Sequence, residues 1–359
     1  MHGLHIQVPL ALLRSADLTP AAKLIWLHCH RDEVHRRQQS HTPTNLARRT
    51  GLARSTVYRA LEQLERAFWC IRRRDRARGK RRVQTRLPFK TSTACVVIPV
   101  DLFEWRESLS PQAIICYGFL RALAGPNGVG GQFKWADFRA ETGLHLRTLK
   151  RAVRSLAEAD WLAIEQRNRL APIRYTFQHP DIVRMEGAKA RLSTSPFKGQ
   201  ALMEEFLNVI IDTRKFHDGG SEGILLNPRT SHQLQLDRHY YQHGVVFEFN
   251  GRQHYESSEH FSKEQVAAQR ERDAIKRSIC GAEGVTLVVV HADDLSKNGI
   301  IRRIREAGVT LDGAGAPSPW LPLRRSLDMY RRTIRHLEYA GARYRRKAVS
   351  EWLTQHEAI

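Results

Sequence analysis

The chain has 359 residues, enough for two or three domains, and 42% of them are hydrophobic, enough to fill ordinary cores. Lys and Arg number 58 against 37 Asp and Glu, a net charge of +21, which points to an anionic partner: nucleic acid first, an anionic membrane surface second. No apolar stretch reaches the ~18 residues of a spanning helix, and the opening MHGLHIQVPLALLRS lacks the basic lead and long apolar run of a signal peptide, so the expectation is a cytoplasmic protein of a bacterium, phage or plasmid, associated with the nucleoid.

The N-terminal half repeats itself. VPLALLRSADLTPAAKLIWL (8–27) matches IPVDLFEWRESLSPQAIICYGFL (98–120), and LARRTGLARSTVYRALEQLERAFWCI (46–71) matches FRAETGLHLRTLKRAVRSLAEADWLAI (138–164). Gly51 and Gly143 are 92 positions apart, as are Trp69 and Trp161, while Pro20 and Pro111 are 91 apart. A near-constant spacing over several landmarks marks two copies of one supersecondary unit.

Each copy reads as helix, turn, helix. A short helix (45–50 or 136–142) reaches Gly51 or Gly143, which supplies the left-handed residue of a tight turn. The second helix carries an apolar stripe, Val57, Leu61 and Leu64 or Leu149, Val153 and Leu156, at the spacing of a one-sided helix. Its start is polar and basic: Arg54, Ser55, Thr56, Tyr58 and Arg59 in the first copy, Arg147, Thr148, Lys150 and Arg151 in the second. Such positions meet base edges or phosphates in a major groove. A charged hairpin ends each copy, and the first, IRRRDRARGKRR, holds eight basic residues, Arg72, Arg73 and Arg74 among them, and one acidic. The pair resembles tandem winged-helix domains, similar in layout to those of plasmid and phage replication initiators and many bacterial regulators. The resemblance implies domains at 1–90 and 91–183, the first being the better DNA reader because Leu146 stands where it has Arg54.

Other local features carry less. His28, Cys29 and His30 are adjacent on a predicted helix and point in different directions, which excludes a shared metal. GPNGVGG (125–131) lacks the Lys-Ser/Thr of a phosphate loop and reads as a turn. Five scattered cysteines with no CxxC pair fit reduced thiols.

The composition changes after 184–197, which is small, polar and read as a linker. ALMEEFLNVII predicts a helix, HQLQLDRHYY (232–241) alternates as a strand does, VVFEFN is a second strand, SKEQVAAQRERDAIKRSIC a long helix and GVTLVVVH a buried third strand. The order predicts an α/β domain with a mixed sheet over 198–312, followed by a basic helical tail over 313–359. A two-residue turn at Gln242 and His243 would set Asp237 directly opposite Glu248. Two opposed carboxylates among hydrophobes repel unless a divalent cation such as Mg²⁺ lies between them, or unless each finds its own arginine, such as Arg238 or Arg252.

LQLD, then EFNGRQHY, then RDAIK resembles the PD-(D/E)xK nuclease superfamily, the restriction-endonuclease-like fold, over roughly residues 198–295. The resemblance implies Asp237 and Glu248 as ligands of Mg²⁺ or Mn²⁺, with the Phe249 carbonyl as a third. Asn250 occupies the usual lysine position, so Gln253 or Lys276 would have to supply its role, with Asp273 placed to position Lys276 and His254 as a base or phosphate donor. A helix glutamate common in the family falls near Gln200, with Glu204 and Glu205 beyond it.

The fold class expected is thus two α+β winged-helix domains followed by an α/β nuclease-like domain. The function expected is a metal-dependent endonuclease of a mobile element or defence system, acting on double-stranded DNA, with a homodimer suited to double-strand cutting and no small-molecule cofactor. The alternative is a replication initiator or transcription regulator whose nuclease-like domain is inert; cleavage of RNA or repair junctions is the third reading.

Overall fold

A computed structural model describes residues 5–34, 41–74, 81–85, 94–104, 109–124, 128–168, 171–219, 226–227, 231, 233–251, 263–312, 319–324 and 330–356. The chain divides into two compact units, Met1–Pro180 and Asp181–Ile359.

The first unit holds both repeats. The first copy runs β1 (His5–Pro9), α1 (Leu10–Arg14), α2 (Pro20–Val34), α3 (Pro43–Thr50), α4 (Arg54–Arg66), β2 (Cys70–Arg74) and β3 (Arg81–Thr85). The second runs β4 (Cys95–Pro99), α5 (Val100–Glu104), α6 (Pro111–Leu123), β5 (Gly130–Phe133), α7 (Trp135–Thr142), α8 (Leu146–Glu158), β6 (Leu162–Glu165) and β7 (Ile173–Phe177). The repetition reaches single bonds. Trp26 meets Trp69 edge-on at 6.1 Å, and Tyr117 meets Trp161 edge-on at 5.9 Å. Thr50 Oγ1 donates to Leu46 O, and Thr142 Oγ1 donates to Phe138 O. Gly51 and Gly143 adopt φ of 70° and 67°, where a side chain is strained.

The two copies do not fold as separate beads, as the expected boundary at 90/91 suggests. β1 pairs antiparallel with β4, with Ile6 opposite Ile98 and Val8 opposite Val96. In the repeat Val8 corresponds to Ile98 and Ile6 to Val96, so Ile6 faces the counterpart of Val8 and Val8 the counterpart of Ile6. That reciprocity places a pseudo-twofold axis at the Gln7–Val97 pair. Packing follows it: Leu13 of α1 crosses onto α6 at Gly118, and Phe103 of α5 crosses onto α2, where its ring lies 5.2 Å from that of His28. Each copy thereby covers the other's apolar surface.

The second unit opens on α9 (Pro180–Thr194) and α10 (Lys198–Ile210). The stretch 184–197 is therefore helical as far as Thr194, not an open linker. Ala188 is buried, and the Asp181 carboxylate accepts from the N–H groups of Arg332 and Thr333, tying the start of α9 to a distant helix. Then come β8 (His217–Asp218), β9 (Arg238–Tyr240), β10 (Val245–Asn250), α11 (Lys263–Ala282), β11 (Thr286–His291), α12 (Lys297–Glu306), β12 (Thr310–Leu311), β13 (Trp320–Leu321) and α13 (Arg331–His356). The sheet order is β11-β10-β9-β8, with β10 parallel to β11 and antiparallel to β9, so the sheet is mixed. The strand predicted from His232 shortens to β9, although burial still alternates before it: Leu234 and Leu236 are inside, Gln233 and Gln235 outside. Leu234, Leu236, Val246 and Cys280 form a core against which Ile275, Ile279 and Leu287 pack, and this seats α11 on one face of the sheet.

Candidate functional site

The first candidate surface is the start of α4. Val57, Leu61 and Leu64 are buried, which turns the rest of the helix outward. Arg54, Ser55, Tyr58 and Arg59 are exposed and Thr56 half-buried. The neighbouring helices α2 and α3 are tied together by a buried charge cluster. Arg49 of α3 donates to Asp32 of α2 at 2.6 and 3.1 Å, and Arg31 donates at 2.8 Å. Burial works to raise the Asp32 pKa, but the bonds from Arg49 and Arg31 outweigh it and hold the carboxyl below its usual range. In α8 the equivalents Arg147, Lys150 and Arg151 are exposed and Thr148 is half-buried, with the Lys150 ammonium 5.8 Å above the Trp135 ring. Arg72, Arg73 and Arg74 lie on β2, paired with β3 as a hairpin; their side chains are outside the described residues.

The second candidate is on β10. The β9–β10 register sets Tyr240 opposite Val245, His239 opposite Val246 and Arg238 opposite Phe247, and one further step brings Asp237 opposite Glu248. The loop is a short 3₁₀ turn, Tyr241–His243, closed by Gly244 at φ 58°. Strand alternation puts Val246 and Glu248 on one face, and Val246 packs on the α11 side. Glu248 is 7% exposed.

Each carboxylate accepts from a backbone N–H of the opposite strand: Phe249 N donates to Asp237 Oδ2 at 2.7 Å, and Asp237 N donates to Glu248 Oε1 at 3.3 Å. Lys276, one residue from the core-packed Ile275, reaches across from α11 and donates to both oxygens of Glu248 at 3.0 Å. Burial pushes the Glu248 pKa up to about 7; Asp237 adds to the rise, and Lys276 pulls against it. Burial therefore wins over a two-oxygen ion pair. Glu204, on α10, is likewise raised by burial, with Asp218 and Asp237 adding to the rise and Gln200 and Arg238 opposing it.

Other expected residues fall elsewhere. Arg238 does not serve the carboxylate pair; it donates to Asp218 at 2.6 and 2.9 Å, to Asn208 and to the Glu204 carbonyl, on the other side of the sheet. Asp273 accepts from Gln269 at 2.9 Å, while Lys276 turns to Glu248. Asn250 is buried at the end of β10, opposite His291. Gln253, His254 and Arg252 lie outside the described residues. The Phe249 ring contacts that of Tyr344 on α13 at 6.2 Å, a neighbour that nothing in the local sequence signals.

Two carboxylates and a nearby backbone carbonyl are hard oxygen donors, and Mg²⁺ commonly takes one or two carboxylates and keeps several waters. Asp237 adds to the burial-driven rise of the Glu248 pKa, and a cation between the two carboxylates would offset that added part, so the donor set fits. Among the described residues no cluster of three or more His, Cys, Asp or Glu side chains is arranged to hold a metal. Nor is any helix among them long and apolar enough to cross a membrane.

Residues 34–67 match the IclR helix-turn-helix domain, so this part of the chain is an IclR-type DNA-binding helix-turn-helix. The chain is 38% identical over 69 residues to Uncharacterized protein 033L of Invertebrate iridescent virus 3, covering 19% of this chain and spanning 36% of that protein's length. It is 32% identical over 127 residues to Uncharacterized protein 094L of Frog virus 3 (isolate Goorha), over 34% of this chain and 79% of that protein. The chain belongs to the family of that Frog virus 3 protein. No solved structure matches it.

Proposed function

We propose that this member of the Frog virus 3 094L family is a metal-dependent DNA endonuclease, which binds duplex DNA through two winged helices in its first unit and hydrolyses phosphodiester bonds in its second. The DNA-binding part rests on the helix-turn-helix and its exposed basic start. The pseudo-twofold relation between the copies would let one chain address two inverted half-sites, α4 reading the stronger and α8 the weaker.

The observation that carries the catalytic part is the Asp237–Glu248–Lys276 cluster on a mixed sheet. Asp237, Glu248 and the Phe249 carbonyl would hold Mg²⁺ or Mn²⁺, which supplies Lewis acidity and a more acidic bound water. The chain's own groups do the rest. The backbone N–H of Phe249 fixes the Asp237 carboxylate, and the Lys276 ammonium brings to Glu248 the positive charge that Asn250 lacks. There it can offset charge building on the phosphoryl oxygens as water attacks phosphorus and the bond to the leaving oxygen breaks.

A second reading has its own support. Lys276 already engages both Glu248 oxygens, and neutral Asn250 stands at the usual lysine position, as in a DNA-binding regulator with an inert second unit. Supercoiled plasmid incubated with the purified chain separates the two. Nicked or linear product with Mg²⁺ or Mn²⁺, and none with chelator, supports the nuclease; intact plasmid with either metal supports the regulator.

A further inference from the structure

The C-terminal helix α13 segregates its charge. Its inner face is docked within the second unit: Thr333 donates its hydroxyl to Asp181, Leu337 is buried, and Glu338 accepts from the Lys297 N–H at 2.8 Å. A Cβ at Gly341 would collide with the Leu295 carbonyl, which also accepts a bond from Arg345, and Tyr344 rests on Phe249. The outer face is a row: Arg331, Arg335, Tyr339, Arg343, Arg346 and Lys347, all exposed. The spacing is one side chain per turn, about 6 Å apart along the axis.

Glu338 is the only carboxylate from Arg331 to Ser350, and it is taken by the Lys297 N–H on the docked side. A solvated helix face carries charges of alternating sign; this row is cationic throughout. At its centre Tyr339 is 63% exposed, a ring set among cations. The row lies on the helix whose Tyr344 touches Phe249, the residue after Glu248.

We propose that the outer face of α13 is a second nucleic-acid-binding surface, separate from α4, which tracks the phosphates of a strand and offers Tyr339 to a base. Cations in a row with an interleaved aromatic suit single-stranded or locally opened nucleic acid. An anionic membrane suits the face less, because the helix's apolar residues, Leu337 foremost, are turned into the protein instead of outward. The inference rests on the reading of this chain as a DNA-binding protein; it does not require that the second unit cut.

The test uses the full-length chain and short DNAs of random sequence, single-stranded and duplex, titrated by fluorescence anisotropy over a range of salt. For R335Q/R343Q/R346Q the slope of log K against log salt should fall by about 2 on single strands and by close to 3 on duplex, three lost phosphate contacts at ~0.7 and ~0.9 each. R335K/R343K/R346K, which keeps the charge, should retain the wild-type slope, and Tyr339→Ala should weaken single-strand binding with the slope unchanged. Wild-type slope and affinity in the Gln triple variant, with an unaltered thermal transition, would overturn the proposal. So would a variant that binds DNA normally but no longer binds phosphatidylserine vesicles that the wild type binds. A protein that never cuts DNA but shows the slope change keeps this inference and loses the nuclease reading.

Discussion

Lys276→Met is the perturbation whose consequences the structure fixes most tightly. The Lys276 ammonium lies 3.0 Å from both Glu248 oxygens, and the two side chains are 15% and 9% exposed. Glu248 titrates near 7 in the folded chain against 4.5 for an ordinary glutamate, raised by burial and then by Asp237. The folded state therefore holds this proton more tightly than the unfolded chain does, a difference worth about 3 kcal/mol. That contribution is complete below the ordinary value and is lost as pH rises through about 7. Removing Lys276 takes away a group that lowers the Glu248 pKa, so the midpoint must move above 7. Stranding a buried charge costs on the order of 3–5 kcal/mol, but Glu248 escapes part of this by staying protonated. The expected cost is under about 1 kcal/mol near pH 5.5, growing to about 2–3 kcal/mol near pH 8.5. Carboxyl-carbon NMR of the ¹³C-glutamate-labelled chain in chelator reads the midpoint, and urea unfolding at the two pH values reads the cost. Millimolar Mg²⁺ should lower the wild-type midpoint, since a cation favours the carboxylate. An unshifted midpoint in Lys276→Met, or a cost independent of pH, would refute the ion-pair reasoning.

Arg54→Ala with Arg59→Ala should weaken duplex binding at fixed salt by at least about tenfold, given ~1 kcal/mol or more per contact to base or phosphate, while leaving DNA cleavage at saturating DNA unchanged; unaltered affinity in a titration would remove α4 as the reader. Gly199→Ala should destabilise the second unit by about 1–3 kcal/mol and lower its melting transition, because the added methyl overlaps the Phe249 ring and crowds the Tyr344 hydroxyl. A calorimetric trace matching wild type would show that Phe249 and Tyr344 are free to give way.

Local signals made the first unit legible. Gly51 and Gly143 announced their turns, and the apolar stripes from Val57 and Leu149 announced the buried faces of α4 and α8. The Asp237–Glu248 juxtaposition followed from period-two counting across a short turn, which is also local. What escaped was set by distant partners. The pairing of β1 with β4 depends on the two copies meeting, and nothing within either strand requires it. The segment 184–197 has the small polar residues of a linker, yet α9 persists to Thr194 because Ala188 finds a buried place and Asp181 is bonded to the start of α13. Helical spacing placed Gln269, Asp273 and Lys276 on one face, but the reach of Lys276 to Glu248 depends on how Ile275 and Ile279 seat α11 against the sheet. The basic tail gave up its two-faced character only once Leu337 and Gly341 were seen to dock.

On the proposed function, Asp237 and Glu248 form a working hydrolytic site on a chain that binds DNA independently of it. The most direct measurement runs binding and cutting side by side on one plasmid substrate, with wild type, Asp237→Ala and Glu248→Ala at saturating protein and Mg²⁺ or Mn²⁺. Nicked or linear product is expected from the wild type only, with equal gel-shift affinity for all three proteins. Cleavage that survives in both variants, or a wild type that binds the plasmid and never cuts it, would contradict it.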